Sequence, residues 1–300
     1  MSELASAQVS RKVAKHKVGV RSTRGARATA CTQRLAVRAA AALTAAILLF
    51  IVVYVAVMGI PHLSLDLFTL PYDSLNLSLM PALINTLLMI VLDLLIAIPI
   101  GVGAAIYLIE YTKSTNRFVN LIRLTAETLT GIPSIVYGLF GLLFFVTALG
   151  WRISLLSGAL TLAIMILPVI LRTTEEALKA VPPAYREGSF SLGAGRLRTV
   201  LTVILPAAMP GILAGIILSI GRIFGESAAL IYTAGTVAAL PESIFDSTRT
   251  LSVHMYVLAS EGLYIEKAFA TAVVLLIIVL AINALSSFVA RRLTKGETHA

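Results

Sequence analysis

Six stretches of this chain are too long and too apolar to form the interior of a soluble domain. Residues 39–60, 81–110, 131–149, 153–171, 207–233 and 268–290 are dominated by Leu, Ile, Val, Ala, Gly and Phe. A hydrocarbon core about 30 Å thick takes about 20 helical residues to cross, and within it backbone polar groups must be satisfied internally. The stable form of such a run is a transmembrane helix, and six of them make an all-α multi-pass membrane protein. The first run exceeds the apolar part of a cleaved signal peptide, so it is expected to be retained.

Charge supplies the orientation. Of the 24 Lys and Arg, nine lie in the first 38 residues, and Lys113, Arg117 and Arg123 follow the second run. Five more lie between residues 172 and 198, and Arg291, Arg292 and Lys295 follow the last run. Cationic loops stay on the cytoplasmic side. Both termini are therefore expected on the cytoplasmic side of the membrane. Segments 61–80 and 234–267 are poor in cations and belong outside. The net charge of +9 thus serves topology, and no nucleic-acid groove follows from it. Only 13% of residues are charged, against about 25% in soluble chains, so there is no composition for a separate soluble domain.

The expected organisation is a basic cytoplasmic tail over residues 1–38, a first transmembrane helix over 39–60 and a five-helix core over 81–292. The tail lacks periodicity through residue 34 and reads as disordered. Its main role is to orient the first span. Cys31 is the single cysteine, which excludes an internal disulfide. His16, His62, His254 and His299 show no metal-ligand spacing, no Walker A pattern occurs, and no nucleophile is paired with a base. The chain is not expected to be an enzyme, nor to bind a cofactor or metal.

Residues 172–206 form the one long polar interruption in the apolar half. Within them Pro182 and Pro183 precede the run from Ala184 to Leu192, and Gly193 and Gly195 end it. Proline suits a first helical turn and glycine the left-handed residue after a last one, so a helix of about two turns is predicted. Its middle, Glu187-Gly188-Ser189, joins one carboxylate to two small side chains and lets another protein approach the backbone. This spacing resembles the cytoplasmic loop of bacterial ABC importer permeases: Glu187-Gly188-Ser189 stand for its Glu-Ala-Ala, Gly193 for its glycine, and Val203-Ile204-Leu205-Pro206 for its Ile-x-Leu-Pro. Gly188, Ser189 and Val203 depart from that pattern by small changes of size. The resemblance implies a type I importer permease fold, with five core helices and one added in front. It also implies that the loop is a coupling helix seated in an ATP-hydrolysing partner.

The fifth run carries charge inside the membrane: Gly221-Arg222-Ile223-Phe224-Gly225-Glu226-Ser227. Such a residue costs about 2.5–3.5 kcal/mol on insertion scales and faces the bundle interior or a wet path. Arg222 stays ionised and presents a planar fork matched to oxyanions. Four residues on, Glu226 is expected on the same helix face. Beside Arg222 it would repel a fully deprotonated anion and accept a hydrogen bond from a protonated one. Asp93, in the middle of the second run, has three open placements: paired with Arg222, facing a partner subunit, or facing a wet cavity.

The run Gly221–Ala234, with Gly131–Phe140 and Pro99–Tyr111, narrows the resemblance to the permeases of Pst-type phosphate importers, and to their A-type more than their C-type. That likeness covers most of residues 81–232. It implies phosphate as cargo, with Arg222, and less firmly Glu226, on its path. It also implies a C-type permease partner, two ATP-binding subunits using ATP and Mg, and a soluble phosphate-binding protein. Two alternatives remain at this stage: a permease for another oxyanion, and an ion-coupled secondary transporter with Asp93 and Glu226 as proton carriers. No related second half of the kind common in secondary transporters is visible.

Overall fold

The computed structural model describes residues 24–70, 72–73, 76–112 and 116–295. Most of the basic tail lies outside them. Helix α1 runs over Arg24–Gly59. It begins within the stretch expected to be disordered, because Ala26, Ala28, Ala30 and Ala36 are strong helix formers among the arginines. Residues up to Tyr54 form one compact unit and Val55 onward a second.

The second unit holds α2 (Met80–Ile106), α3 (Arg117–Thr130), α4 (Ser134–Gly141), α5 (Leu155–Ala180), α6 (Pro183–Ser191), α7 (Arg196–Thr199), α8 (Leu205–Phe224), α9 (Ala228–Thr233), α10 (Leu251–Glu261) and α11 (Ile265–Lys295). Widened π turns continue α2 through Tyr107–Tyr111 and α4 through Leu142–Ala148, and join α7 to α8 through Val200–Ile204. Among the described residues five helical segments are long and apolar enough to cross a membrane, and α3 with the extended α4 forms an apolar pair bent by 103°, a sixth span if the two are counted as one.

The core is built around α5. Its most apolar window is 67% buried, against 22–28% for the spans of α2, α8 and α11. Leu162, Met165, Ile166 and Ile170 on α5 pack with Met89, Ile90 and Ala97 on α2 and with Ile223 and Phe224 on α8. Between lipid-soluble helices there is little hydrophobic drive, so close approach has to supply the attraction. Gly138 provides one such approach: a Cβ there would stand 2.8 Å from Ala229 Cα, so α4 and α9 can meet backbone to backbone.

Three boundaries differ from expectation, and one proline is passed without a break. The fourth span does not stop at residue 171, and α5 continues to Ala180. The third is short, because the chain turns sharply at Gly131-Ile132-Pro133 before α4. No break occurs at Pro206; the helical path from Arg196 to Phe224 is continuous. A proline ring clashes with the carbonyl four residues back, and the widened turn at Val200–Ile204 accommodates it. The fifth apolar run does break, at Gly225, between α8 and α9.

Segment 234–250 folds onto the bundle. Asn85 Nδ2 donates to the carbonyls of Ala239 and Arg249, at 3.1 and 3.4 Å. Thr86 Oγ1 accepts the Leu251 amide at 2.8 Å, and Asp246 Oδ2 accepts the amides of Glu242 and Ser243. Arg249 and His254 are buried here, with the Arg249 guanidinium 4.7 Å from the centre of the Tyr72 ring. Burial, reinforced by the Arg249 charge, pushes the His254 imidazole down to about 3. Among the described residues neither ring nitrogen has a hydrogen-bond partner of ordinary geometry, so the opposing pull of the Leu77 backbone offsets little.

Below pH 6.5 an unfolded His254 takes up a proton that the folded one refuses. The contribution to stability is therefore intact above that pH and lost as pH falls toward 3. Between pH 7 and pH 5 the loss is about 2 kcal/mol. His254→Gln is expected to flatten the fall in thermal midpoint across that interval in detergent. An unchanged slope would show that His254 is not held neutral.

Candidate functional site

Two regions carry the residues singled out by the sequence. The first is the polar segment between α5 and α8. Pro182 precedes α6 and Pro183 opens it. Gly193, at φ +82°, closes it in the left-handed region that side chains with a Cβ rarely enter. The predicted short helix is thus present, bounded by the residues expected to bound it. Glu187 and Gly188 are exposed, and a Cβ at Gly188 would meet no atom within 4 Å. Ser189 Oγ and Thr199 Oγ1 share a hydrogen bond of 2.8 Å, which ties α6 to α7. Leu205 and Pro206 open α8 directly above. Around the helix Tyr185, Phe190 and Leu192 are exposed, Leu192 by 88%.

Sequence reasoning missed what holds this segment in place. The Arg186 guanidinium donates to both carboxylate oxygens of Glu110, with Nη2 2.6 Å from Oε1. It also donates to the carbonyls of Leu178 and Val181 at the end of α5, at 3.0 and 3.1 Å. The only available signal was a lone carboxylate closing the second apolar run, 76 residues from its partner.

The second region is the broken fifth run. Helix α8 ends at Phe224, Gly225 caps it, and Glu226 lies beyond. Arg222 and Glu226 therefore do not share a helix face, and no ion pair within 4.0 Å joins them among the described residues. The helix termini explain the separation. A C-terminus carries partial negative charge and suits Arg222 in the last turn, while an N-terminus suits a carboxylate. Glu226 Oε1 accepts the Ala229 amide at 3.1 Å and so caps α9, and its side chain is 9% exposed.

Arg222 is exposed on a groove of about 330 Å³ lined by Val169 of α5, Leu218 and Ser219 of α8, and Val279 and Asn283 of α11. Gly211 faces Ala177 and Gly215 faces Thr173. The same antiparallel register brings Arg222 level with Ile166, inside the apolar length of α5. The Tyr137 phenol lies within electrostatic reach of Arg222 and donates to the Leu129 carbonyl at 2.8 Å.

Asp93 is elsewhere. It is fully enclosed in this chain's own core, with neither carboxylate oxygen hydrogen-bonded among the described residues. That placement removes two of the three alternatives, since Asp93 neither pairs with Arg222 nor lies on a surface that a partner subunit could touch.

Residues 97–297 match the family described as binding-protein-dependent transport system inner membrane component. The chain is 37% identical over 238 residues to the "Probable ABC transporter permease protein YqgI" of Bacillus subtilis (strain 168), covering 74% of this chain and 81% of that one. It is 34% identical over 217 residues to the "Phosphate transport system permease protein PstA 1" of Mycobacterium tuberculosis (strain CDC 1551 / Oshkosh), covering 70% and 71%. Among solved structures it resembles a chain of a bacterial alginate ABC transporter bound to its pentasaccharide-loaded periplasmic protein. The TM-score is 0.63 at 18% identity, covering 88% of this chain and 96% of that one. This likeness fixes the fold as that of a type I importer permease. The chain belongs to the binding-protein-dependent transport system inner membrane components: it is a permease subunit of an ABC importer, a membrane transport component and not an enzyme.

Proposed function

We propose that this permease passes inorganic phosphate inward across a bacterial plasma membrane, with both termini cytoplasmic. The observation that carries the reading is the 34% identity to a phosphate permease over 71% of its length. An exposed guanidinium on a groove at membrane depth, in no ion pair among the described residues, supports it. In this reading Arg222 meets the anion through its fork of donors, and Glu226, capping α9 just beyond the end of α8, adds a negative charge that disfavours fully ionised competitors. Asp93, sealed in the core, acts at most indirectly. The helix containing Glu187, Gly188 and Ser189, with Gly193, Leu205 and Pro206 framing its exit, seats in an ATP-binding subunit. ATP and Mg work there. A second permease chain, a second ATPase and a soluble phosphate-binding protein complete the importer.

The test is uptake by the complete importer in proteoliposomes, with phosphate as cargo and sulfate as competitor. Vanadate-sensitive phosphate uptake that excess sulfate leaves standing is expected. Equal competition by sulfate would overturn the substrate. In Glu226→Gln, sulfate is expected to compete about tenfold better, equivalent to about 1.4 kcal/mol. Unchanged discrimination would leave Glu226 a structural cap alone.

A further inference from the structure

The coupling segment is gripped on both flanks by one turn of α2. The π turn Tyr107–Tyr111 ends that helix and places Glu110 and Tyr111 side by side. Glu110, its side chain 8% exposed, takes the Arg186 guanidinium from inside α6. Tyr111 lies under the guanidinium of Arg196, which opens α7 beyond Gly193, at 5.9 Å from the ring centre. Tyr107 stacks behind Tyr111 at 6.5 Å. Arg186 also closes the C-terminus of α5 by donating to Leu178 and Val181. Three elements therefore meet at one guanidinium: the end of α2, the end of α5 and the docking helix.

The chemistry differs from that of the exposed ion pair on α5. Arg172 and Glu176 form an exposed i,i+4 pair, each about three-fifths exposed, and such pairs contribute little. The Glu110–Arg186 bridge is shielded, has two-oxygen geometry and leaves few donors idle, which makes it strong and directional. A π turn supplies a widened place in the helix where an extra residue projects, and such turns recur at functional positions.

We propose that Glu110 and Arg186 are positioning residues for coupling. Through them a displacement of the docking helix is carried into α2 and α5, the helices that form the core of the bundle, and Arg196 on Tyr111 steadies the far flank. The inference rests on the reading that α6 docks to an ATPase.

The test uses the complete importer in proteoliposomes and compares wild type with Glu110→Gln, Arg186→Met and the double variant. Three quantities are read: ATPase copurification, ATP hydrolysis, and phosphate moved per ATP hydrolysed. Copurification and hydrolysis within twofold of wild type are expected. The phosphate-to-ATP ratio should fall about tenfold in each single variant, and no further in the double, because the two residues act as one unit. An unchanged ratio overturns the proposal. So does a fall that tracks lost copurification, which marks a purely structural role, or losses that multiply in the double. Failure of the docking reading is separately visible: Gly188→Trp, which leaves this bridge untouched, would then still copurify with the ATPase.

Discussion

Arg222→Gln is expected to reduce phosphate uptake by about 100-fold or more while leaving membrane insertion and ATPase copurification unchanged. Glutamine keeps a polar end of similar reach but removes the charge and the two-pronged donor geometry. The pair of charge-assisted bonds lost is worth about 3 kcal/mol against an oxyanion, which converts to about two decades. The fold has little to lose, because Arg222 is exposed on its groove and anchors no ion pair among the described residues. Arg222→Lys separates charge from geometry. It should retain part of the activity, since a lysine supplies a point charge without the fork. Uptake by Arg222→Gln within twofold of wild type would remove Arg222 from the pathway. The measurement is initial-rate uptake of radiolabelled phosphate, normalised to permease in the membrane.

Gly188→Trp is the second large effect, and its direction is opposite for the chain and for the complex. Within the chain the side chain points into open space, and replacing glycine inside a helix contributes roughly 0.5–1 kcal/mol. Helix α6 should therefore form as well or better. A partner groove seated over Glu187-Gly188-Ser189 has no room for an indole, so copurification with the ATPase and phosphate uptake should both fall more than tenfold. Thermal unfolding of the isolated permease should be unchanged or slightly raised. Normal copurification would place the docking surface elsewhere. Gly193 carries a different demand: there the constraint is the left-handed backbone, and Gly193→Asn should be milder than Gly193→Val because asparagine tolerates that region.

Five of the six spans were readable from the sequence, because an apolar run of span length has one stable form in lipid; the run 131–149 instead forms part of a pair bent by 103°. Helix α6 was readable too, since Pro183 and Gly193 act locally on the backbone. Family membership removes the ion-coupled transporter that the buried carboxylates left open. The positions of those carboxylates were not readable, for a reason specific to membranes: lipid-facing and core-facing surfaces are both apolar. Met89 is fully buried and Leu95 is two-thirds exposed, yet nothing in their chemistry separates them. Asp93 consequently looked as though it had a polar partner, and among the described residues its carboxylate has no hydrogen-bond partner. The break at Gly225 was hidden by the apolar residues on both sides of it, which is why Arg222 and Glu226 read as one helical pair. The Glu110–Arg186 bridge joins residues far apart in the chain, and local patterns do not carry that information.

The uninterrupted path from Arg196 to Phe224 has a mechanical consequence. Its 29 residues make a rod about 43 Å long, with the exit of the docking helix at its foot and a guanidinium near its tip. Pivoted at mid-length, a tilt of a few degrees at the foot swings the tip by roughly 1–2 Å. That is the scale on which a donor fork gains or loses its grip on an ion, with no hinge needed along the way.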